Sequence, residues 1–327
     1  MKSGEESLIR IAAEMAGVPL VEMERLIWLM LAKRSGTKSY GSKLNNDGSP
    51  LQICETCTTE KHFLRIIGDP GADLLELHSR YDAACDALFS LMYEVQAISL
   101  LPILEKTVRL SLPEDPTPYS ELAQGILWLG ASPRSSGLAV YLNARWGSED
   151  SRWPRVRNWL ASTLSEKVKA ERVLSNLSMH AEVVSLGLEG SELENARAKI
   201  YFRLKPSVSL ASLQLPALIQ PLMENFLLSM AGEFPIRRSG LTFCLGFAIK
   251  DGSWADMKID LCGHCISRDP AAWAEDLDTY CRSMGLLSPL AISNSVLESS
   301  EIALVGLGVH LQGDVRLNVY LKALPRQ

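Results

Sequence analysis

Residues 197–204 read RAKIYFRL, and the phrase recurs along the chain as GLAVYLNA at 137–144, DMKIDLCG at 256–263 and RLNVYLKA at 316–323. The steps from Tyr141 to Tyr201, Tyr201 to Asp260 and Asp260 to Tyr320 are 60, 59 and 60 residues. Such a constant step marks an internal structural repeat. Within each phrase apolar residues alternate with polar, charged or phenolic ones. Arg197, Lys199, Tyr201 and Arg203 share one face of an extended chain, and Ala198, Ile200, Phe202 and Leu204 share the other, which is the period of a half-buried strand. In the last copy Arg316, Asn318, Tyr320 and Lys322 oppose Leu317, Val319, Leu321 and Ala323.

Upstream of each phrase lies a second short apolar segment containing Leu-Gly: ILWLGAS around Gly130, VVSLGLEG around Gly187, FCLGFAIKDG around Gly246 and LVGLGVHLQG around Gly308. Turn-rich stretches such as Glu189-Gly190-Ser191, Lys250-Asp251-Gly252-Ser253 and Gln312-Gly313-Asp314 follow three of them, so each pair reads as a β-hairpin. PLQICETC with HFLRIIGDP forms an earlier hairpin of the same rhythm, giving five hairpins and ten strands. Helical patterns cover 5–35, 72–109, 152–174, 207–232 and 269–285, with Asp269 as an N-cap and Pro154 and Pro270 in first turns. The expected fold is α+β. Five helix–strand–strand–helix units close into a ten-stranded antiparallel barrel inside a ring of helices, because closure removes the exposed sheet edges.

The strand faces predict what such a barrel encloses. Helices outside need the apolar face against them, which sends Arg, Lys and Tyr inward. A packed barrel would be lined by Val, Ile and Leu. On the partner strands Ser185, Gly187, Cys244, Gly246, Ala248, Gly306 and Gly308 leave space if they also face inward. The lumen is expected to be roomy, basic and lined with tyrosines.

The repeat runs almost to the end of the chain, so residues 1–327 read as one domain with a helical lead-in over 1–48. GTKSYGSKLNNDGSP at 36–50 reads as a polar connector to the first hairpin. A hydrophobic content of 47% is ample for a core, and no segment is an apolar run of membrane-spanning length. The acidic, polar N-terminus MKSGEESLIR is unlike a signal peptide, and seven scattered cysteines suit a reducing compartment, so a cytoplasmic location is expected. A net charge of −5 argues against nucleic acid as partner.

At these residues the chain resembles the aromatic prenyltransferases of the ABBA barrel family, over essentially its whole length. Arg197-Ala198-Lys199-Ile200-Tyr201 matches the Arg-x-Lys-x-Tyr strand with which dimethylallyltryptophan-synthase-like members grip the donor diphosphate. Pro50-Leu51-Gln52-Ile53-Cys54 resembles their Pro-Phe-Glu-x-Ser strand near the acceptor, and Arg65 falls at their first diphosphate arginine. The resemblance implies transfer of a dimethylallyl or longer prenyl group from its diphosphate to an electron-rich aromatic carbon of an indole-type small molecule. Arg65, Arg197, Lys199, Tyr201, Lys258, Arg316 and Tyr320 would hold the diphosphate. Tyr141, Tyr201 and Tyr320 would shield the allyl cation, and Gln52 would bind the acceptor.

The chain departs from the family pattern at three places. The fourth strand carries Ala139-Val140-Tyr141 in place of Lys-x-Tyr, the eighth carries Lys258-Ile259-Asp260 in place of Gln-x-Tyr, and Gln52 stands where relatives have a glutamate. A glutamine accepts a hydrogen bond but cannot act as a base. Relatives that use Mg²⁺ place an aspartate near Arg65; the arginine here implies catalysis without metal, and no cofactor.

Other readings stay open. The acceptor can be phenolic or peptide-borne, or the barrel can bind an isoprenoid or phosphorylated ligand without chemistry. Cys262-Gly263-His264-Cys265 suggests a redox pair or, with Cys54 and Cys57, a four-cysteine zinc site. It ends an antiparallel strand, however, whereas a redox pair of this spacing opens a helix. His264 and His310 can face the lumen, and Glu55, opposite in parity to Gln52, is expected to be solvated or paired.

Overall fold

A computed structural model of the chain describes residues 3–32, 41–119, 125–166, 171–206, 208–232, 240–266 and 269–324. Ten strands form five hairpins: β1 (Leu51–Cys57) with β2 (His62–Gly68), β3 (Leu127–Ser132) with β4 (Ser135–Asn143), β5 (Ala181–Gly190) with β6 (Arg197–Leu204), β7 (Leu241–Ala248) with β8 (Trp254–Cys262), and β9 (Ser300–His310) with β10 (Val315–Ala323). Each strand pairs antiparallel with its neighbours in chain order, and β10 pairs with β1 through Cys54↔Tyr320, so the sheet is a closed barrel. Closure leaves none of these ten strands with an edge open to another chain.

The outward faces form the main core. Ala198, Ile200 and Phe202 on β6 and Leu317, Val319 and Leu321 on β10 are fully buried. Around them pack α1 (Ser3–Ala16), α2 (Leu20–Leu31), α3 (Leu77–Glu94), α4 (Leu101–Ser111), α5 (Glu149–Thr163), α6 (Glu171–His180), α7 (Ile219–Ala231), α8 (Pro270–Ser283) and the short α9 (Asn294–Leu297). Phe202 stacks on Phe243 with ring centroids 5.6 Å apart, and Phe226 of α7 meets Tyr280 of α8 edge to face at the same distance. Each such side chain contributes roughly 1.5–3 kcal/mol by burial, which makes the greasy strand face the main support of the barrel.

The helical patterns are real but more broken than the sequence suggests. The pattern 5–35 divides at Gly17 and Pro19 into α1 and α2, its last residues lying outside the described ones. Gln96, at φ 56°, and Pro102 in the first turn of α4 divide 72–109. The stretch 152–174 yields α5 and the start of α6, and 207–232 a short 3₁₀ turn at Leu210–Leu213 followed by α7. Because α5 starts at Glu149, Pro154 falls inside the helix instead of in its first turn and cannot donate to the carbonyl four residues back. Asp269 caps α8 as expected, accepting from the amides of Ala271 and Ala272. Among the described residues no helix is long and apolar enough to cross a membrane.

The described part of the polar stretch, from residue 41, is not a free connector but packs against one end of the barrel. Leu44 lies against Cys54, Ile67 and Tyr320. Asn45 Nδ2 donates to the carbonyls of Ser49 at 2.9 Å and Leu51 at 3.0 Å, and Lys322 Nζ, near the end of β10, donates to Asn46 Oδ1 at 2.8 Å and Asp47 Oδ2 at 3.0 Å. Ser42 Oγ donates to Asp69 Oδ2 at 2.5 Å, and Arg80 fixes the same carboxylate from α3. Polar residues suit this role because the strand ends they cover carry backbone groups that need partners.

Candidate active site

Strand parity carries Arg65 of β2, Tyr141 of β4, Arg197, Lys199 and Tyr201 of β6, Lys258 of β8, and Arg316 and Tyr320 of β10 into one cavity of about 270 Å³ inside the barrel. The small residues of the intervening strands face inward as expected. Gly187 lies between Tyr141 and Lys199 in the register, Gly246 between Lys199 and Asp256, and Gly308 between Lys258 and Arg316. The space they leave is taken by the long side chains beside them: a Cβ on Gly308 would sit 2.8 Å from Arg316 Nε, and one on Gly246 would collide with the Asp256 carboxylate. Glycine at these positions lets charged side chains lie across the sheet.

The tyrosines form a cluster. Tyr141 and Tyr201 meet edge to face with centroids 5.6 Å apart. The Lys258 ammonium lies 5.3 Å from the centroid of Tyr320 and 5.9 Å from that of Tyr201, and donates to Tyr320 Oη at 2.7 Å. Arg65 Nη1 donates to Tyr141 Oη at 3.3 Å. Burial pushes all three phenols above their ordinary range, so they stay neutral at physiological pH.

The lumen is not simply basic: among the described residues, three carboxylates pair with the five cations that line the cavity. Glu189 accepts from Arg65 Nη2 and Lys199 Nζ, and from Arg197 Nη2 at 3.4 Å. Asp256 Oδ2 takes Arg197 Nη1 at 2.5 Å and Arg316 Nη2 at 2.6 Å, and Asp260 Oδ2 takes Lys258 Nζ at 2.7 Å. Burial alone would raise the Glu189 pKa, but Arg65, Lys199 and Arg197 outweigh it and hold the carboxyl well below its usual range. Arg316, Arg197 and Lys199 likewise overcome burial and hold Asp256 at about 2. Burial lowers Lys199 despite Glu189; for Lys258 the same burial is outweighed, first by Asp260, and its pKa is raised. Sequence parity had the means to find two of these acids, since Asp256 shares a face with Lys258 and Asp260. Glu189 has the phase of Ser185 and Gly187, and the pairing sets it opposite Arg197.

Gln52 is not on the cavity wall. It has the inward parity but lies toward the covered end of the barrel, 2% exposed, its Nε2 donating to Asn45 Oδ1 at 2.6 Å and to the Leu44 carbonyl at 3.4 Å. The β1 residue level with both Arg65 and Tyr320 is Cys54, which lines the cavity with Ile67, Thr56 and Asn318; Thr56 Oγ1 donates to Asn318 Oδ1 at 2.7 Å. Glu55 faces outward and is paired: it accepts from the amides of Leu290 at 3.0 Å and Ala291 at 2.7 Å and bonds His62 Nδ1 at 2.7 Å. His264 is exposed, and neither it nor His310 lines the cavity.

The seven cysteines are free, and Cys54, Cys57, Cys262 and Cys265 do not assemble into a metal cluster among the described residues. Glu55, Cys57 and His62 do lie within ligand distance of one another, but the carboxylate is already bound to two backbone amides and the imidazole.

No family model matches the sequence, and no curated protein matches it. Solved structures do match. The 5-dimethylallyltryptophan synthase from Streptomyces coelicolor is similar with a TM-score of 0.76 at 19% identity, over 98% of this chain and 96% of that one. The 6-dimethylallyltryptophan synthase from Micromonospora olivasterospora, in complex with DMASPP and Trp, gives 0.75 at 17% identity over 98% and 96%. AnaPT from Neosartorya fischeri gives 0.70 at 13% identity over 98% and 91%. At such identities the likeness is one of fold: the chain has the architecture of the ABBA prenyltransferases, a closed ten-stranded barrel ringed by helices.

Proposed function

We propose that the protein is an aromatic prenyltransferase that moves a dimethylallyl group from its diphosphate to an electron-rich carbon of an indole-type acceptor. One observation carries the reading: five cations and three neutral tyrosines converge in one cavity inside the barrel. The allyl C–O bond breaks heterolytically, leaving its electron pair on the diphosphate. Arg65, Arg197, Lys199, Lys258 and Arg316 neutralise that leaving group, and the low-dielectric lumen strengthens the attraction. The rings of Tyr201 and Tyr320 already lie near the Lys258 ammonium and would stabilise an allyl cation in the same way, each by roughly 0.5–2 kcal/mol. Because the phenols stay protonated they do not intercept the cation as phenolates. The aromatic carbon attacks, and the ring proton leaves to a base. The indole preference is supported by the tryptophan named in the complex of the similar Micromonospora synthase. The free thiols fit a reducing compartment and support a cytoplasmic location.

Purified protein incubated with dimethylallyl diphosphate and a panel of indoles, phenols and aromatic peptides should release diphosphate together with a prenylated indole. Diphosphate binding with no prenylated product from any acceptor would replace this reading with a non-catalytic binding barrel. A phenol or peptide preferred over every indole would keep the transfer and overturn the acceptor. Since arginine and lysine supply the charge that a metal otherwise would, turnover should persist in excess EDTA. Complete loss, restored by Mg²⁺, would refute metal independence.

A further inference from the structure

Glu189 is the acidic side chain on the cavity wall among the described residues, and three cations converge on it. One carboxylate oxygen accepts from Arg65 and, at 3.4 Å, from Arg197; the other accepts from Lys199. Two guanidinium groups and an ammonium around one small anion form the donor set that also recognises phosphoryl oxygens. The two arginines do not depend on Glu189 alone for their placement. Arg197 keeps Asp256 through its other terminal nitrogen at 2.5 Å, and Arg65 keeps the Tyr141 hydroxyl at 3.3 Å. Glu189 stands next to the hairpin turn that joins β5 to β6, with its side chain 12% exposed.

We propose that Glu189 is an internal counter-anion that fills the diphosphate seat of the empty barrel and gives way when the donor binds. This rests on the donor reading above. Binding is then an exchange in which the contacts of Glu189 to Arg65, Lys199 and Arg197 break as diphosphate oxygens take the same N–H donors, with no covalent bond made or broken. In the empty barrel the carboxylate keeps three closely packed cations from repelling one another. After transfer it competes for them at the high effective concentration of a tethered group, which loosens the product diphosphate and speeds its release.

Titration calorimetry of inorganic diphosphate, without metal, into the wild type and Glu189→Gln tests the exchange. The glutamine variant should melt at a lower temperature when empty, bind diphosphate roughly tenfold or more tighter, and recover more thermal stability from it. In turnover its product inhibition by diphosphate should strengthen and its kcat fall. A carboxylate that merely scaffolds the cations predicts the opposite sign, because its loss would scatter the donors. Equal or weaker diphosphate binding by the variant therefore overturns the counter-anion while leaving the donor reading in place. If the wild type neither binds diphosphate nor transfers a prenyl group, the donor reading falls and this inference falls with it. Should the glutamine variant not fold, Glu189→Asp keeps the charge one methylene short of the cations and must also bind diphosphate more tightly than the wild type.

Discussion

Arg197 and Lys199 sit two residues apart on one strand face, yet their removal should not cost the same. Arg197 bridges two carboxylates, so Arg197→Ala takes a cation from the cavity and also leaves Asp256 with Arg316 alone. Lys199→Ala leaves Glu189 still held by Arg65 and Arg197. Both variants should lose about 2 kcal/mol or more of transition-state stabilisation, with the arginine variant the worse, measured as kcat/KM for the prenyl donor. Unchanged turnover in both would remove these residues from the donor site. The cations and tyrosines were legible because alternation along a strand fixes which side chains share a face, whatever the tertiary context. Which carboxylate meets which cation was not, because an acid beside an arginine on the next strand is a matter of register, and register is not written in either strand alone. Gln52 shows the limit of parity from the other side: it has the inward phase but stands too near the strand's start to reach the cavity.

Among the elements, the five hairpins were readable from their period, and the segment that covers the barrel's end was not. Residues 41–50 have no repeat and no apolar face, so locally they look like a connector, and only the exposed groups of the barrel end give their asparagines work. Asn45 is the hub: it donates to two backbone carbonyls and accepts from Gln52. Asn45→Ala should lower global stability by about 1–3 kcal/mol, since buried partners are left unsatisfied, and should raise amide exchange in the segment before the rest of the barrel. Exchange that rises uniformly, or not at all, would show that the segment is not closed by this hub. The helices were legible as patterns but not as units, because the chain takes positive φ at Gly17, Gln96 and Gln214, and a glutamine does not announce such a turn.

For the whole molecule, folding buries a charged interior inside an apolar shell, and that arrangement should be visible in how stability depends on acid. Glu189 and Asp256 have folded pKa values below their unfolded ones, so the stability they contribute is present above the ordinary carboxylate range and is lost as pH falls through the folded values. For Asp256, a fall from 3.8 to about 2 corresponds to about 2 kcal/mol. Asp69, outside the cavity, works the other way: burial raises it despite Arg80, so it favours the folded state in the same acid range. The wild-type curve alone therefore mixes opposing contributions, and the comparison that isolates the interior network is with Asp256→Asn. At neutral pH the variant should be less stable in urea unfolding, because Arg197 and Arg316 lose the carboxylate between them. As pH falls from about 4 toward about 2 the wild type should lose its advantage, the gap shrinking by about 2 kcal/mol as Asp256 takes up its proton and comes to resemble the amide. A gap that stays constant over that range would mean that Asp256 is not held ionised by the two arginines, and the view of the barrel interior as a closed set of paired charges would have to be given up.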